Sequence, residues 1–292
     1  MARCLVTGHM GYIGSKLYNE LKRQGHEVLG IDSKNGHDIN SLQGLVEDSA
    51  GGFHPTWFTF KPEYIFHLAC WPRVSFSIEN PVETMKNNVL AASNVLNFAK
   101  KVGTKRVIYS SSSSVVGNGD GPTSPYALQK LTTEMEAKIY SDLYGIDTVC
   151  LRYFNVYSAD QKADGPYATA IANWMEFIRK DKQPFITGTG EQRRDMLHVD
   201  DAVSANIFAM NYNNNFNGSV YDVGTGTNIS LNEVKDIVNK HFPQVEFSYV
   251  DERPNDVMLT KADINAMKNL GWQAKKDVAV GIEECFERLA ND

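Results

Sequence analysis

The 292-residue chain has few cysteines, no cluster of basic residues and no long hydrophobic run. Without an apolar stretch of about 18 residues, the sequence predicts no transmembrane helix and no membrane partner. Its four cysteines are far apart and form neither a C-x-x-C pair nor a zinc-type cluster with histidine. We therefore expect reduced thiols rather than a disulfide framework, and no metal site.

The chain is weakly acidic, with 29 Lys and Arg against 35 Asp and Glu and a net charge of -6. Without a basic patch, we expect no nucleic-acid partner. Hydrophobic residues make up 42% and charged residues 22%, which allows a sizeable core and excludes a disordered chain. The sequence enters a strand pattern within its first residues, leaving no room for a signal peptide. These features predict a cytoplasmic globular protein.

Short apolar segments alternate with helical patterns through the first two-thirds of the chain, which predicts an α/β fold with a doubly wound parallel sheet. No Gly/Ser linker separates the later segments, so we expect a smaller C-terminal substrate-binding lobe that is interleaved with the sheet. The sheet domain is predicted over 1–155 and about 196–224, and the lobe over about 156–195 and 225–292. The predicted strands include Cys4–Thr7, Glu27–Ile31, Tyr64–Ala69, Arg106–Ser110 and Thr148–Tyr153, and the predicted helices include Ile13–Gln24, Val82–Lys101 and Tyr126–Tyr144.

A glycine-rich segment follows the first predicted strand and opens the first helix, with Gly8, Gly11 and Gly14 in the spacing G-x-x-G-x-x-G. Such glycines permit a tight turn and let the backbone approach a pyrophosphate at the helix N-terminus. Asp32 ends the second predicted strand, where a carboxylate binds the adenosine ribose hydroxyls and repels a 2′-phosphate. This pattern predicts a Rossmann-type site for NAD rather than NADP.

Tyr126 and Lys130 lie four residues apart in a predicted helix and therefore share one face. A nearby ammonium stabilises phenolate and lowers the tyrosine pKa from ~10 toward the working pH, so that Tyr126 can act as a general base. A serine run, Ser110–Ser114, ends the preceding apolar strand at the sheet edge where open α/β sheets bind ligands. These residues together indicate an NAD-dependent enzyme.

Nine segments of the chain occur in the same order as in one enzyme family: TGHMGYIG, Asp38-Ile39, FHLAC, YSSSSSVVG, SPYALQK, LRYFNV, GEQRRDMLHVDDA, YDVGTG and RPNDV. The chain resembles the extended short-chain dehydrogenase/reductases, within them the nucleotide-sugar epimerases and dehydratases, and above all the UDP-hexose 4-epimerases. The resemblance implies an NAD-dependent nucleotide-sugar 4-epimerase that acts through a transient 4-keto sugar. It also suggests a homodimer built from the helices around Val82–Lys101 and Tyr126–Tyr144.

The resemblance also implies roles for individual residues. The catalytic residues would be Ser112, Tyr126 and Lys130. The cofactor-binding residues would be Gly8, Gly11, Tyr12, Ile13, Gly14, Asp32, Asp38, Ile39, Ala69, Asn88 and Tyr153, together with Tyr126 and Lys130. The substrate-binding residues would be Asn155, Arg194, Arg253 and Thr260, together with Ser112 and Tyr126. Arginine suits the diphosphate because its planar guanidinium binds phosphate oxygens bidentately.

Departures from the family pattern narrow the reaction. Sugar dehydratases and decarboxylases of this type carry carboxylates where this chain has Ser113 and Ser114, which favours epimerisation. Thr260 stands where 4-epimerases gate the C2 side of the sugar, and its small size predicts that UDP-N-acetylhexosamines are accepted alongside, or in preference to, UDP-glucose and UDP-galactose. The alternatives are a UDP-uronate 4-epimerase, a nucleotide-sugar dehydrogenase or 4-keto reductase, and a catalytically silent NAD-sensing module. His67 is expected to be structural.

Overall fold

The computed structural model describes residues 1–35, 39, 59–117, 119–163, 169–252 and 257–292. Its strands, numbered β1 to β12, are Arg3–Thr7, Glu27–Ile31, Tyr64–His67, Arg106–Ser112, Asp147–Tyr153, Val156–Tyr157, Phe185–Thr187, Arg193–Arg194, Leu197–His198, Ser219–Val223, Ile229–Ser230 and Ser248–Val250. Its α-helices, numbered α1 to α10, are Tyr12–Arg23, Val74–Glu79, Pro81–Met85, Ala91–Val102, Pro125–Tyr144, Ala170–Arg179, Val199–Asn211, Leu231–His241, Asn265–Leu270 and Val278–Asn291.

Six strands form the main sheet in the order β10-β5-β4-β3-β1-β2. The pairs β1–β2, β1–β3 and β3–β4 are parallel. The chain passes from β2, on one side of β1, to β3 on its other side. Such a reversal creates a crevice at the carboxyl ends of the strands, where open α/β sheets bind ligands. The predicted doubly wound α/β fold is therefore confirmed.

The chain divides into two compact units, each with its own hydrophobic core. The first comprises 1–115, 122–152 and 203–221, and the second comprises 116–121, 153–202 and 222–292. In the first, α1 packs against β1 and β2, α4 against β3, and α5 against β4. The core of the second unit includes Tyr157, Trp174, Val238, Ile282 and Phe286, which are at most 2% exposed.

Helix α5 has unambiguous sequence signals at both ends. Ser124 is its N-cap and accepts a hydrogen bond from the Ala127 N–H at 3.2 Å, and Pro125 occupies the first turn. Gly145 ends the helix in the left-handed conformation, with φ of 67°. These signals fix the length of the helix that carries Tyr126 and Lys130.

One predicted helix differs in its interior. The sequence predicts a helix near Val82–Lys101, and the structure is helical there, but a π-helical turn over Lys86–Leu90 lies between α3 and α4. Asn88 in this turn is buried, and its side chain is hydrogen bonded to Trp71 and Gln129. Hydrophobic periodicity does not show the extra residue of a π-turn, because the apolar positions on both sides of it stay helical.

The four cysteines are free thiols, and three of them are buried, as the sequence predicts. Among the described residues, no helix combines the length and the hydrophobicity needed to cross a membrane.

Candidate active site

The glycine-rich segment forms a tight turn at the carboxyl end of β1. Gly8 has φ of 72°, and its N–H donates to the Ile31 carbonyl at 2.7 Å. A Cβ on Gly8 would lie 2.8 Å from the Ala69 nitrogen, and a Cβ on Gly14 would lie 2.1 Å from the Gly8 oxygen. Both positions therefore require glycine, and the turn lies against Ala69, which follows β3.

Helix α1 begins directly after this turn. Its N-cap, Gly11, provides no side-chain cap, and no acidic residue stands in the first turn. Its first N–H groups and the positive end of the helix dipole are therefore suited to a phosphate. Tyr12 and Ile13 form this first turn and are half-buried. The cradle thus fits the pyrophosphate of NAD.

Asp32 is held beside the same turn. Its Oδ2 accepts a hydrogen bond from the Met10 N–H, and its Oδ1 accepts one from the Lys34 N–H, both at 3.0 Å. Each ionised carboxylate oxygen can accept a further hydrogen bond. The carboxylate is therefore oriented by the backbone and still fits the ribose hydroxyls of NAD.

The other predicted cofactor residues occupy different surroundings. Ile39 is 6% exposed and packs in the core of the first unit, whereas Asp38 lies outside the described residues. Tyr153 is 7% exposed. Asn88 accepts from the Trp71 N–H and donates to Gln129 Oε1, both at 2.8 Å. The Asn88 amide is therefore bound to protein groups, so the structure shows it bracing the chain around Trp71.

The three predicted catalytic residues come together where β4 ends against α5. The Ser112 hydroxyl lies close enough to the Tyr126 hydroxyl to lower the Tyr126 pKa. Ser114 Oγ donates to Ser112 Oγ at 2.9 Å. Lys130 is 1% exposed, its Nζ donates to the Ser110 carbonyl at 2.6 Å, and it lies 5.9 Å from the centre of the Tyr126 ring.

The expected lowering of the Tyr126 pKa needs correction. Burial is the largest influence and raises the pKa of Tyr126 well above its usual value, since a desolvated phenolate is costly. The Lys130 charge and the nearby Ser112 hydroxyl both lower the pKa, but they do not overcome burial. Lys130 lowers the Tyr126 pKa, as predicted. The net shift of this pKa is nevertheless upward, because the phenol is almost fully buried.

His67 ends β3 beneath this site. It is 2% exposed, and its Nδ1 lies 2.7 Å from Thr7 Oγ1. Burial, followed by the Lys130 charge, lowers the His67 pKa to about 3. His67 is therefore a neutral residue that links β3 to β1.

Within the second unit, the predicted substrate residues Asn155 and Thr260 are brought together. Asn155 has φ of 35°, a left-handed backbone that is uncommon outside glycine and concentrates at functional sites. Its Nδ2 donates to the Asp195 carbonyl at 2.7 Å and to Thr260 Oγ1 at 3.3 Å. The Asn155 amide, which is predicted to hold the diphosphate, is thus hydrogen bonded to protein acceptors.

The two adjacent arginines of β8 have different surroundings. Arg193 donates to Asn228 Oδ1 at 2.7 Å and forms an ion pair with Glu233 at 2.8 Å. Arg194, on the opposite side of the strand, donates from Nη1 to the Arg193 carbonyl at 3.1 Å. Arg193 therefore contacts Asn228 and Glu233, whereas Arg194, the predicted diphosphate residue, lies on the opposite side of the strand. Arg253 lies outside the described residues.

Asp195 is a residue that the sequence reasoning missed. It is fully buried, and its carboxylate accepts hydrogen bonds from the backbone N–H groups of Thr225, Gly226 and Ala262 at 2.9 to 3.0 Å. Its own N–H donates to Thr260. Asp195 therefore fixes the segment that carries Thr260. An acid directly after the RR pair was the available signal.

A glycine cradle at the reversal point of a parallel sheet, with Ser112 at the end of β4 and Tyr126 and Lys130 on α5, defines a Rossmann-fold enzyme of the short-chain dehydrogenase/reductase class. Residues 4–224 match the NAD dependent epimerase/dehydratase family. The chain belongs to this family. The predicted family, the enzyme class of NAD-dependent epimerases and the cofactor NAD are thereby confirmed.

Individual relatives are nucleotide-sugar epimerases. The chain is 30% identical to the "Putative UDP-glucose 4-epimerase" of Methanocaldococcus jannaschii, over 99% of this chain and 98% of the relative. The solved UDP-glucose 4-epimerase of Thermotoga maritima with UDP-glucose matches with a TM-score of 0.87 and 28% identity, over 99% of both chains. The UDP-N-acetylglucosamine 4-epimerase of Methanobrevibacter ruminantium matches with a TM-score of 0.85 and 28% identity, over 98% of this chain and 97% of that chain.

Proposed function

We propose that this protein is an NAD-dependent UDP-sugar 4-epimerase that oxidises the sugar at C4 and reduces the 4-keto sugar on its other face. The observation that carries the proposal is the grouping of Ser112, Tyr126 and the buried Lys130 where β4 ends against α5, in a chain of the epimerase family. When bound in the glycine cradle, NAD supplies a reversible hydride acceptor for C4.

The side chains of the protein transfer the proton of the sugar 4-hydroxyl. Tyr126 as phenolate removes the proton of the sugar 4-hydroxyl, and Ser112 hydrogen-bonds the same oxygen. The charge of Lys130 favours the phenolate against the effect of burial. Ser113 and Ser114 stand where elimination and decarboxylation enzymes of this type carry carboxylates, which supports epimerisation.

The proposal is tested by incubating the purified protein with UDP-, GDP- and dTDP-sugars, including UDP-uronates, without added nicotinamide. We expect conversion of a UDP-sugar to its C4 epimer without net NADH, and acid treatment should release NAD from the protein. Steady NADH accumulation would instead support a dehydrogenase. Conversion of UDP-uronates alone would support the uronate epimerase, and absence of turnover with every sugar would contradict the proposal.

For the sugar, we propose that N-acetylhexosamines are accepted. Thr260 is half-buried, and its hydroxyl accepts hydrogen bonds from Asn155 Nδ2 and the Asp195 N–H. Its side chain is therefore held in place by protein contacts rather than extending into solvent. A Thr260→Tyr variant should lose the acetamido substrates selectively. The control Thr260→Val keeps the size and should keep them. Equal loss of both sugar classes in Thr260→Tyr would contradict a gating role.

We also propose a homodimer formed through α5 and the α3–α4 segment. Helix α5 exposes an apolar stripe of Leu128, Met135, Ile139 and Leu143, each at least 51% exposed. Val82 and Met85 on α3 are exposed as well. A contiguous exposed apolar stripe marks an interaction surface. Sedimentation should show a dimer that Met135→Glu dissociates, whereas a monomeric wild type would refute this assembly.

A cytoplasmic location also stays a proposal, supported by the free cysteines.

A further inference from the structure

Glu134 is a buried carboxylate on α5, four residues beyond Lys130, and it is 3% exposed. Arg152 on β5 approaches it with two nearly parallel hydrogen bonds, from Nε at 2.8 Å and from Nη2 at 2.7 Å. Ser111 on β4 donates to its Oε1 at 2.5 Å. One carboxylate therefore joins α5 to two adjacent strands of the sheet, next to Ser112.

Three successive residues of β4 face one side of α5. The Ser110 carbonyl accepts from Lys130, Ser111 donates to Glu134, and the Ser112 hydroxyl lies beside Tyr126. The three helix residues are spaced by four, so they form one row along α5. The position of Ser112 relative to Tyr126 is thus set by two hydrogen-bonded contacts immediately before it.

Stability alone does not account for this ion pair, in which Glu134 is buried and Arg152 is partly buried. Burying two charges costs nearly as much as their attraction returns, and well-packed apolar residues are often as stable. A bidentate arginine–carboxylate pair does fix orientation, because both groups are planar and form two hydrogen bonds. The pair is therefore suited to hold the Glu134 carboxylate at one angle toward Ser111.

We propose that Glu134, oriented by Arg152, is a positioning residue that holds the end of β4 through Ser111 so that the Ser112 hydroxyl stays beside that of Tyr126. This role rests on the proposed epimerase reaction, in which Ser112 and Tyr126 meet the same sugar oxygen. Glu134 touches neither Tyr126 nor Ser112 in the contacts described, so it acts through the strand.

The test compares variants at both ends of β4 and β5. Ser111→Ala removes the link to the strand and keeps the Glu134–Arg152 pair, whereas Glu134→Gln removes the charge and keeps the side-chain length. The matched control is Asp147→Asn, which breaks the buried Arg106–Asp147 pair at the opposite ends of the same strands. For each variant, kcat, KM for the UDP-sugar, bound NAD and Tm are measured well below Tm.

We expect kcat to fall about tenfold or more in Glu134→Gln and Ser111→Ala, with KM and bound NAD unchanged, because a small misplacement of a reacting group has such an effect. The double variant should lose no more than the worse single variant, since both cut one link. Because the nearby Ser112 hydroxyl lowers the Tyr126 pKa, its displacement should move the acidic limb of the pH profile to higher pH. Asp147→Asn should lower Tm and leave kcat within about twofold.

A kcat within about twofold of wild type in both Glu134→Gln and Ser111→Ala would overturn the proposal, and so would an equal loss of kcat in Asp147→Asn. Crystal structures of the wild type and Ser111→Ala decide the question without turnover: the proposal requires the Ser112 hydroxyl to move away from the Tyr126 hydroxyl in the variant, and an unchanged position refutes it. If the wild type converts no UDP-sugar, the proposed function fails, while this structural result still decides the positioning role.

Discussion

A buried arginine–carboxylate pair joins β4 to β5 at their amino ends, and a partly buried pair joins the carboxyl end of β5 to α5. The two pairs bind different kinds of group. At the amino ends, Arg106 Nε donates to Asp147 Oδ2 at 2.5 Å. The remaining donors of Arg106 bind backbone carbonyls in the last turn of α7 and just after it, those of Ala209, Tyr212 and Asn214. At the carboxyl ends, the Glu134–Arg152 pair instead binds the side chain of Ser111.

This difference in partners indicates that the pair at the amino ends stabilises the fold, whereas the pair at the carboxyl ends serves the reaction. Asp147 also accepts the N–H groups of Phe216 and Asn217, so the amino-end pair satisfies the backbone of a connecting segment. The carboxyl-end pair is next to Ser112 and Tyr126. We infer that the amino end can be altered at a cost in stability alone, whereas the carboxyl end can be altered only at a cost in turnover.

The largest effect should come from Tyr126→Phe at the carboxyl end. The phenol ring keeps its packing, so the fold and bound NAD should be retained. Turnover should fall by roughly 10²–10⁴, the usual contribution of a general base. Steady-state kinetics and release of bound cofactor by acid measure both quantities. Turnover close to that of the wild type would exclude Tyr126 as the base and would remove the contrast between the two ends.

At the amino end, Asp147→Asn should reduce the free energy of unfolding by roughly 3 kcal/mol, because it leaves the buried Arg106 without a charged partner. Denaturant titration measures this loss. Lys138→Ala, which removes an exposed ion pair with Asp142 on α5, serves as a control and should change stability little. If the two variants were equally stable, Arg106 would not depend on its carboxylate partner.

Lys130→Met should change the pH dependence of the carboxyl end. The Lys130 charge lowers the Tyr126 pKa against burial, so its removal raises this pKa further. The active form is the phenolate, so the acidic limb of kcat/KM should move to higher pH. Each unit of this shift lowers activity at neutral pH about tenfold, with partial recovery in alkaline buffer. An unshifted limb would show that the charge does not control Tyr126.

The smallest effect concerns His67, whose burial lowers its pKa to about 3 from the ordinary value of 6.5. The unfolded chain then binds a proton between these two pH values and the folded chain does not. Stability is therefore complete above pH 6.5 and falls by about 1.4 kcal/mol per pH unit below it. His67→Gln should flatten this slope in urea titrations between pH 6.5 and pH 5, and an unchanged slope would assign it to other groups.

The fold follows from local signals in the sequence. Alternating strands and helices predict the sheet, and Ser124, Pro125 and Gly145 mark the ends of α5. The spacing of Tyr126 and Lys130 places both on one helix face, and Ser112 is indeed brought to Tyr126. These features depend on residues that are near in sequence or on the general rule for sheet edges.

What the sequence does not predict depends on distant contacts. Glu134 continues the four-residue spacing of Tyr126 and Lys130, but its partners Ser111 and Arg152 are 23 and 18 residues away. The direction of the Tyr126 pKa depends on how completely the surrounding elements cover the ring, which spacing alone does not give. Hydrogen bonds of this range form only after the strands and α5 have packed.

The π-turn over Lys86–Leu90 sets the helical phase of the segments on either side of it. It contains one residue more than an α-turn, so the preceding residues are rotated by about 100° relative to an unbroken helix. Before the turn, Thr84 accepts a hydrogen bond from Gln129, and after it, α4 packs Val95 into the sheet core. A deletion of one residue here would leave α4 in place and turn Thr84 away from the helix that carries Tyr126. The extra residue therefore sets the rotation between the two parts of this helical segment, so that Thr84 meets Gln129 of α5 while Val95 packs into the sheet core.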